Sequence, residues 1–153
     1  MPREHRYQTR TTWTGNLGTG TKDYRAYSRN HDLSAEGKTA SIPGSSDPNF
    51  RGDGTRYNPE ELLVASLSAC HMLWFLHLCA DAGIVVVDYV DDAEGLMNEN
   101  ADGSGEFTKV ILRPKVVLAD PSRESELAAL HYAAHHHCFI ARSVKFPVEC
   151  EPR

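Results

Sequence analysis

The run from Leu62 to Ala80 (LLVASLSACHMLWFLHLCA) contains no formally charged residue, and every other feature of the chain has to accommodate it. As a helix it is nearly long enough to cross a bilayer. Ser66, Ser68, His71 and His77 interrupt it, Glu60 and Glu61 precede it, Asp81 follows it, and no basic flank sets an orientation. A helix that is apolar on all sides is equally the pattern of one buried deep in protein. The expectation is therefore a buried helix in a soluble protein, with no membrane partner. Asn58 can cap it, Pro59 suits its first position, and Glu60 and Glu61 complement the positive end of its dipole. Gly83 is a natural stop, so the helix is expected from Pro59 to Ala82.

Such a helix is hard for one small domain to cover. Leu63, Leu67, Met72, Leu73, Trp74, Phe75, Leu76 and Leu78 surround its axis. A few short strands can shield one side only. Burying each further large side chain contributes about 1.5–3 kcal/mol, which makes a second subunit the expected cover.

The rest of the chain reads as short strands and one further helix. Tyr7, Thr9, Thr11 and Trp13 alternate with polar residues, as in a strand ending near Gly15. Asp23–Arg29 and Asp32–Glu36 suggest a hairpin around Asn30 and His31. Ser41–Tyr57 (SIPGSSDPNFRGDGTRY) reads as a long loop, and loops of that length in a small domain tend to be functional. Beyond the long helix, Ile84–Tyr89 is β-branched and continues irregularly toward Met97, while Asn98–Gly105 supplies turn residues. Phe107–Leu118 is the expected return strand. Asp120-Pro121-Ser122 opens a second helix, and Ser143–Cys150 reads as a last strand. The order gives an α+β fold in a single domain over 1–153, without βαβ repeats or a glycine-rich phosphate loop.

A net charge of −5 with no cluster of basic residues argues against a nucleic-acid partner. Met1–Arg6 is charged and leads into no apolar segment, so no secretory signal is expected and a cytoplasmic, reducing location follows. There, Cys70, Cys79, Cys138 and Cys150 are more often buried, catalytic or metal-binding than structural disulfides. Cys70 lies several turns inside the long helix, too far from its N-terminus for the dipole to stabilise a thiolate. A reactive Cys70 needs a guanidinium from elsewhere, and Arg25, Arg51 and Arg56 are available. Cys79, nine positions on, points to the opposite helix face and cannot bridge to Cys70. Cys150 shows no neighbour that would activate it. Cys138 follows His135, His136 and His137, and a histidine beside a thiol can lower its pKa. His131, His135 and Cys138 share one helix face and form a partial zinc set, with His71 or Cys70 as the source of a further ligand. The alternative is a polar helix end where histidine complements the dipole.

Asn58-Pro59-Glu60-Glu61-Leu62, followed by Ala69-Cys70 with ten positions between Glu60 and Cys70, resembles the signature of the OsmC/Ohr family of osmotically inducible and organic-hydroperoxide-resistance proteins. Ala134-His135-His136-His137-Cys138-Phe139-Ile140-Ala141-Arg142-Ser143-Val144 resembles the family's second-cysteine segment, and the order of elements agrees. The resemblance implies an OsmC-like fold, an antiparallel sheet packed on a long central helix in an intertwined homodimer. It implies that Cys70 attacks an organic hydroperoxide, that Cys138 resolves the product, that no cofactor takes part, and that a dithiol such as a lipoylated protein regenerates the enzyme. It further implies an arginine beside the thiolate, read here as Arg51 with Arg25 as the alternative, and Glu60 orienting it. Glu60 and Cys70 are roughly 15 Å apart on a straight helix, so the helix breaks, the arginine spans the gap, or the groups meet across subunits. Phe139 stands where many members have proline, and His71 where many have an aromatic residue. The departures leave room for a dimeric ligand- or zinc-binding protein of the same fold without peroxidase activity.

Overall fold

The computed structural model describes residues 1–153, which pack as two compact units, Met1–Leu62 and Leu63–Arg153. The N-terminal unit is built on a three-stranded antiparallel sheet of β1 (Arg10–Trp13), β2 (His31–Ser34) and β3 (Ile42–Gly44). Trp13 pairs with His31, and His31 with Gly44. Arg56 fastens this sheet. Its guanidinium donates to the carbonyls of Gly44 (2.9 Å) and His31 (2.8 Å) and to the carboxylate of Asp32 (2.9 Å). Gly15 is required where it stands, since a Cβ there would lie 1.8 Å from the Ser28 carbonyl oxygen.

The expected hairpin between Asp23 and Glu36 does not form. Residues 23–27 are turns and bends, where the Arg29 guanidinium lies over the rings of Tyr24 (4.4 Å) and Tyr27 (4.0 Å), and β2 pairs with β1 and β3. The Ser41–Tyr57 segment is more ordered than a loop. It contributes β3 and a 3-10 turn at Pro48–Phe50, which Asp47 caps by accepting from the Asn49 N–H (2.7 Å).

The long helix, α1 (Pro59–Asp81), begins in the N-terminal unit and runs unbroken. Its start is a capping box: the Glu61 N–H donates to Asn58 Oδ1 (2.8 Å), and the Asn58 N–H to Glu61 Oε1 (3.4 Å). Gly83 ends it at φ 69°, in the left-handed region. Only Leu67, His71, Phe75 and Cys79 are buried along it. This four-residue spacing draws one narrow stripe down the helix.

In the C-terminal unit that stripe meets two apolar clusters. One gathers Phe75, Cys79, Ile84, Leu118 and Ala134, the other Leu67, Val110 and Leu112. The strands β4 (Val86–Asp91) and β7 (Pro114–Leu118) form an antiparallel pair, and β5 (Glu94–Glu99), β6 (Gly105–Leu112) and β8 (Val148–Cys150) form a second sheet. The expected single strand over Phe107–Leu118 is thus two strands with different partners. Arg113 separates them: its N–H donates to Asp91 Oδ1 (2.6 Å) and its guanidinium pairs with Glu94 (2.9 Å). The sheets are antiparallel except that β8 joins β6 in parallel, which departs from the all-antiparallel expectation. The second helix begins as a 3-10 turn at Pro121–Glu126 and becomes α2 over Leu127–His137. The last strand is shorter than expected, because Ala141–Ser143 forms another 3-10 turn.

Candidate functional site

Helix α1 carries Cys70 at mid-length, half-buried, and α2 delivers Cys138 at its C-cap, 1% exposed. The cap turns the backbone from helical to extended (φ −64°, ψ 110°), which aims the Cys138 side chain inward. The Cys70 thiol is near enough to that of Cys138 to raise its pKa, and both cysteines are free. Burial pushes the Cys138 thiol up to about 11 against the Ala141 N–H, which donates to Cys138 Sγ at 3.4 Å, and the neighbouring Cys70 adds to the rise. Cys138 is held as the protonated thiol at neutral pH.

One helical turn beyond Cys70, Trp74 forms an aromatic wall beside this pair. Its ring stacks on His137 (4.9 Å) and meets Phe139 edge-on (5.8 Å), so it brackets Cys138 on both sides in sequence. Cys79 is buried in the Phe75 cluster, on the opposite side of α1 from Cys70 as its spacing predicts.

Arg51 and Glu60 belong to the N-terminal unit. Arg51 is exposed in a left-handed conformation (φ 63°), its N–H closing the 3-10 turn on the Pro48 carbonyl (3.0 Å). Glu60 is half-buried in the first turn of α1. Arg25 is exposed, with its N–H donating to Asp23 Oδ1 (2.8 Å). Of the options for bringing Glu60 toward Cys70, a broken helix is removed, since α1 is continuous through both.

The partial zinc set expected from spacing is regrouped. Cys138 turns to Cys70, while His131 meets His71: His71 Nε2 and His131 Nδ1 are 3.0 Å apart and hydrogen-bonded. Cys150 Sγ lies 3.8 Å from the same His71 Nε2. His71 and His131 are 1% and 4% exposed, and burial lowers both imidazoles to about 4, so they are neutral. Burial also raises the Cys150 thiol to about 11. Cys150 was legible in sequence only as the end of a strand; no local signal announces a partner 79 positions away.

A mixed helix-and-strand fold that presents two neighbouring thiols, one from the middle of a long helix and one from the cap of a second, has the makings of a dithiol centre. Residues 52–153 match the family described as OsmC-like protein. An OsmC-like protein of unknown function from Vibrio cholerae superposes with a TM-score of 0.88 at 34% identity, covering 98% of this chain and 100% of that one. The chain belongs to the OsmC-like family, and the resemblance read from the Asn58–Cys70 and Ala134–Val144 segments is correct. An uncharacterized protein of Bacillus subtilis, YmaD, is 28% identical over 114 residues, covering 72% of this chain and 73% of its own. An organic hydroperoxide resistance protein of Legionella pneumophila shares the fold at a TM-score of 0.68 and 18% identity, over 97% of each chain.

Proposed function

We propose that this chain reduces organic hydroperoxides through Cys70 and Cys138. The observation that carries the proposal is the nearness of the two thiols, with only one of them exposed enough to meet a substrate. The Cys70 thiolate attacks the peroxide, the O–O bond breaks, and the leaving alkoxide takes a proton to become an alcohol. Cys70 is left as the sulfenic acid. The Cys138 sulfur then attacks the Cys70 sulfur, water leaves, and an intramolecular disulfide forms. A dithiol, a lipoylated protein by the family resemblance, returns both cysteines to thiols. Trp74 and Phe139 give the approach an aromatic lining suited to an organic rather than a fully polar peroxide. The likeness in fold to proteins named for organic hydroperoxide resistance supports the same chemistry.

In this reading Arg51 stabilises the Cys70 thiolate and Glu60 orients it, with Arg25 as the alternative cation. A second copy of the chain covers the apolar faces that α1 leaves open: Leu73, in the middle of the helix, is 64% exposed. The proposed assembly is a homodimer in the cytoplasm.

The test is hydroperoxide consumption with cumene or tert-butyl hydroperoxide and a dithiol reductant. Cys70→Ser is expected to abolish turnover. Cys138→Ser is expected to complete one turnover and then over-oxidise Cys70 to the sulfinic acid, seen by intact mass. An undiminished rate in Cys70→Ser would remove the proposal.

A further inference from the structure

The buried stripe of α1 contains one residue that two apolar clusters do not explain. His71 lies one turn from Leu67 in one cluster and one turn from Phe75 in the other, and it is 1% exposed. Its ring meets His131 from α2 and the thiol of Cys150 from β8, and the three donor atoms lie within 4.8 Å of one another. A buried imidazole pair of this kind needs partners for four ring nitrogens, and the pair supplies one bond between two of them. His131 Nε2 is left buried without any partner, while Nδ1, 3.0 Å from His71 Nε2, is the nitrogen placed to share an ion with His71.

We propose that His71, His131 and Cys150 are a zinc site. Zinc takes imidazole nitrogen at about 2.0–2.1 Å and thiolate sulfur at about 2.3 Å, which puts tetrahedral ligand atoms roughly 3.3–3.6 Å apart. The 3.0 Å nitrogen pair and the 3.8 Å sulfur–nitrogen separation bracket that spacing. The widest pair, at most 4.8 Å, has to contract by about 1 Å to reach tetrahedral spacing. Both imidazoles are held neutral by burial, the form that ligates. The Asp91 carboxylate favours positive charge at His71. Binding shifts the proton shared between the imidazoles to the other nitrogen of its own ring and releases the Cys150 proton to solvent, leaving two neutral imidazoles and one thiolate on the ion.

A cavity of about 310 Å³ lined by His131, His135 and Cys150 gives the ion a way in and room for a fourth ligand. His135 is one turn beyond His131 on α2 and is the candidate for that position. Nitrogen and sulfur donors with no hard oxygen ligand among the three select zinc over magnesium or calcium. The inference is independent of peroxidase activity, because it uses neither Cys70 nor Cys138.

The experiment is a cobalt titration of the full chain, stripped with chelator and kept reduced, followed by zinc displacement. One cobalt per chain is expected, with a thiolate-to-cobalt charge-transfer band that zinc abolishes. Cys150→Ser is expected to lose the band and to weaken zinc binding by at least about 100-fold, since even outer-shell partners of a metal are worth about 10–100-fold. A Cys70→Ser/Cys138→Ser double variant should keep both. Alkylation mapping of the unaltered chain gives the answer without a variant: zinc should slow labelling of Cys150 and leave Cys70 unprotected. Absence of stoichiometric binding, a band that survives Cys150→Ser, or zinc protection of Cys70 instead of Cys150 would overturn the site.

Discussion

Phe75 is fully buried and packs nearly parallel to His131 at 4.0 Å, so it supports both an apolar cluster and the histidine pair. Phe75→Ala is expected to cost about 3–5 kcal/mol in chemical unfolding, the usual range for deleting a buried aromatic ring. The histidines themselves make the metal-free fold sensitive to acid. His71 faces Asp91 from β4, His131 and His135 from α2, and Cys150 from β8, and burial outweighs the Asp91 charge to leave its pKa near 4. His131 is near 4 as well, against 6.5 for an ordinary imidazole. The unfolded chain therefore binds more protons than the folded one between those values. Stability is complete above about pH 6.5 and is lost as the pH falls toward 4, by about 2 kcal/mol for each imidazole at pH 5. Urea midpoints at pH 7 and pH 5 with chelator present check this, and His131→Gln should flatten the difference. The places of Cys70 on α1 and of Cys138 at the end of α2 were legible from their motifs, because each motif is local. The proximity of His71 to Cys150 was not, since no local pattern encodes a contact closed by β8 joining β6.

Helix α1 was readable almost to the residue because its start and stop are written in adjacent side chains. Asn58 and Glu61 satisfy each other's backbone N–H groups, and Gly83 accepts a left-handed turn that other residues resist. Removing that cap by Asn58→Ala is expected to lower the thermal midpoint, at a cost of about 1 kcal/mol. The break between β6 and β7 is different in kind. Phe107–Leu118 is strand-forming throughout, and what divides it is a distant carboxylate, Asp91, accepting from the Arg113 N–H. For β2 the expected partner within Asp23–Arg29 is not a strand, and β2 pairs instead with β1, well upstream, and with β3 across the seven residues that follow it.

For the molecule as a whole, the decisive quantity is apolar surface that the chain does not cover. Helix α1 is long and apolar enough to span a membrane by length and composition, yet it buries only four side chains within the chain. In the proposed dimer, Leu73 is shielded by the second copy. Leu73→Glu is expected to shift the assembly toward monomer in sedimentation velocity, while leaving the stripe of Leu67, His71, Phe75 and Cys79 in place. An unchanged sedimentation coefficient in that variant would argue that the exposed helical face has another role.

Helix α2 is tethered to α1 near its middle, His131 to His71 by a hydrogen bond, and its C-cap brings Cys138 near Cys70. A rod held at one place near its middle can turn about that place but cannot easily slide. Any movement of the Cys138 sulfur toward its partner is therefore a lever stroke with its fulcrum at the histidines, and stiffening that fulcrum sets how far the far end can swing.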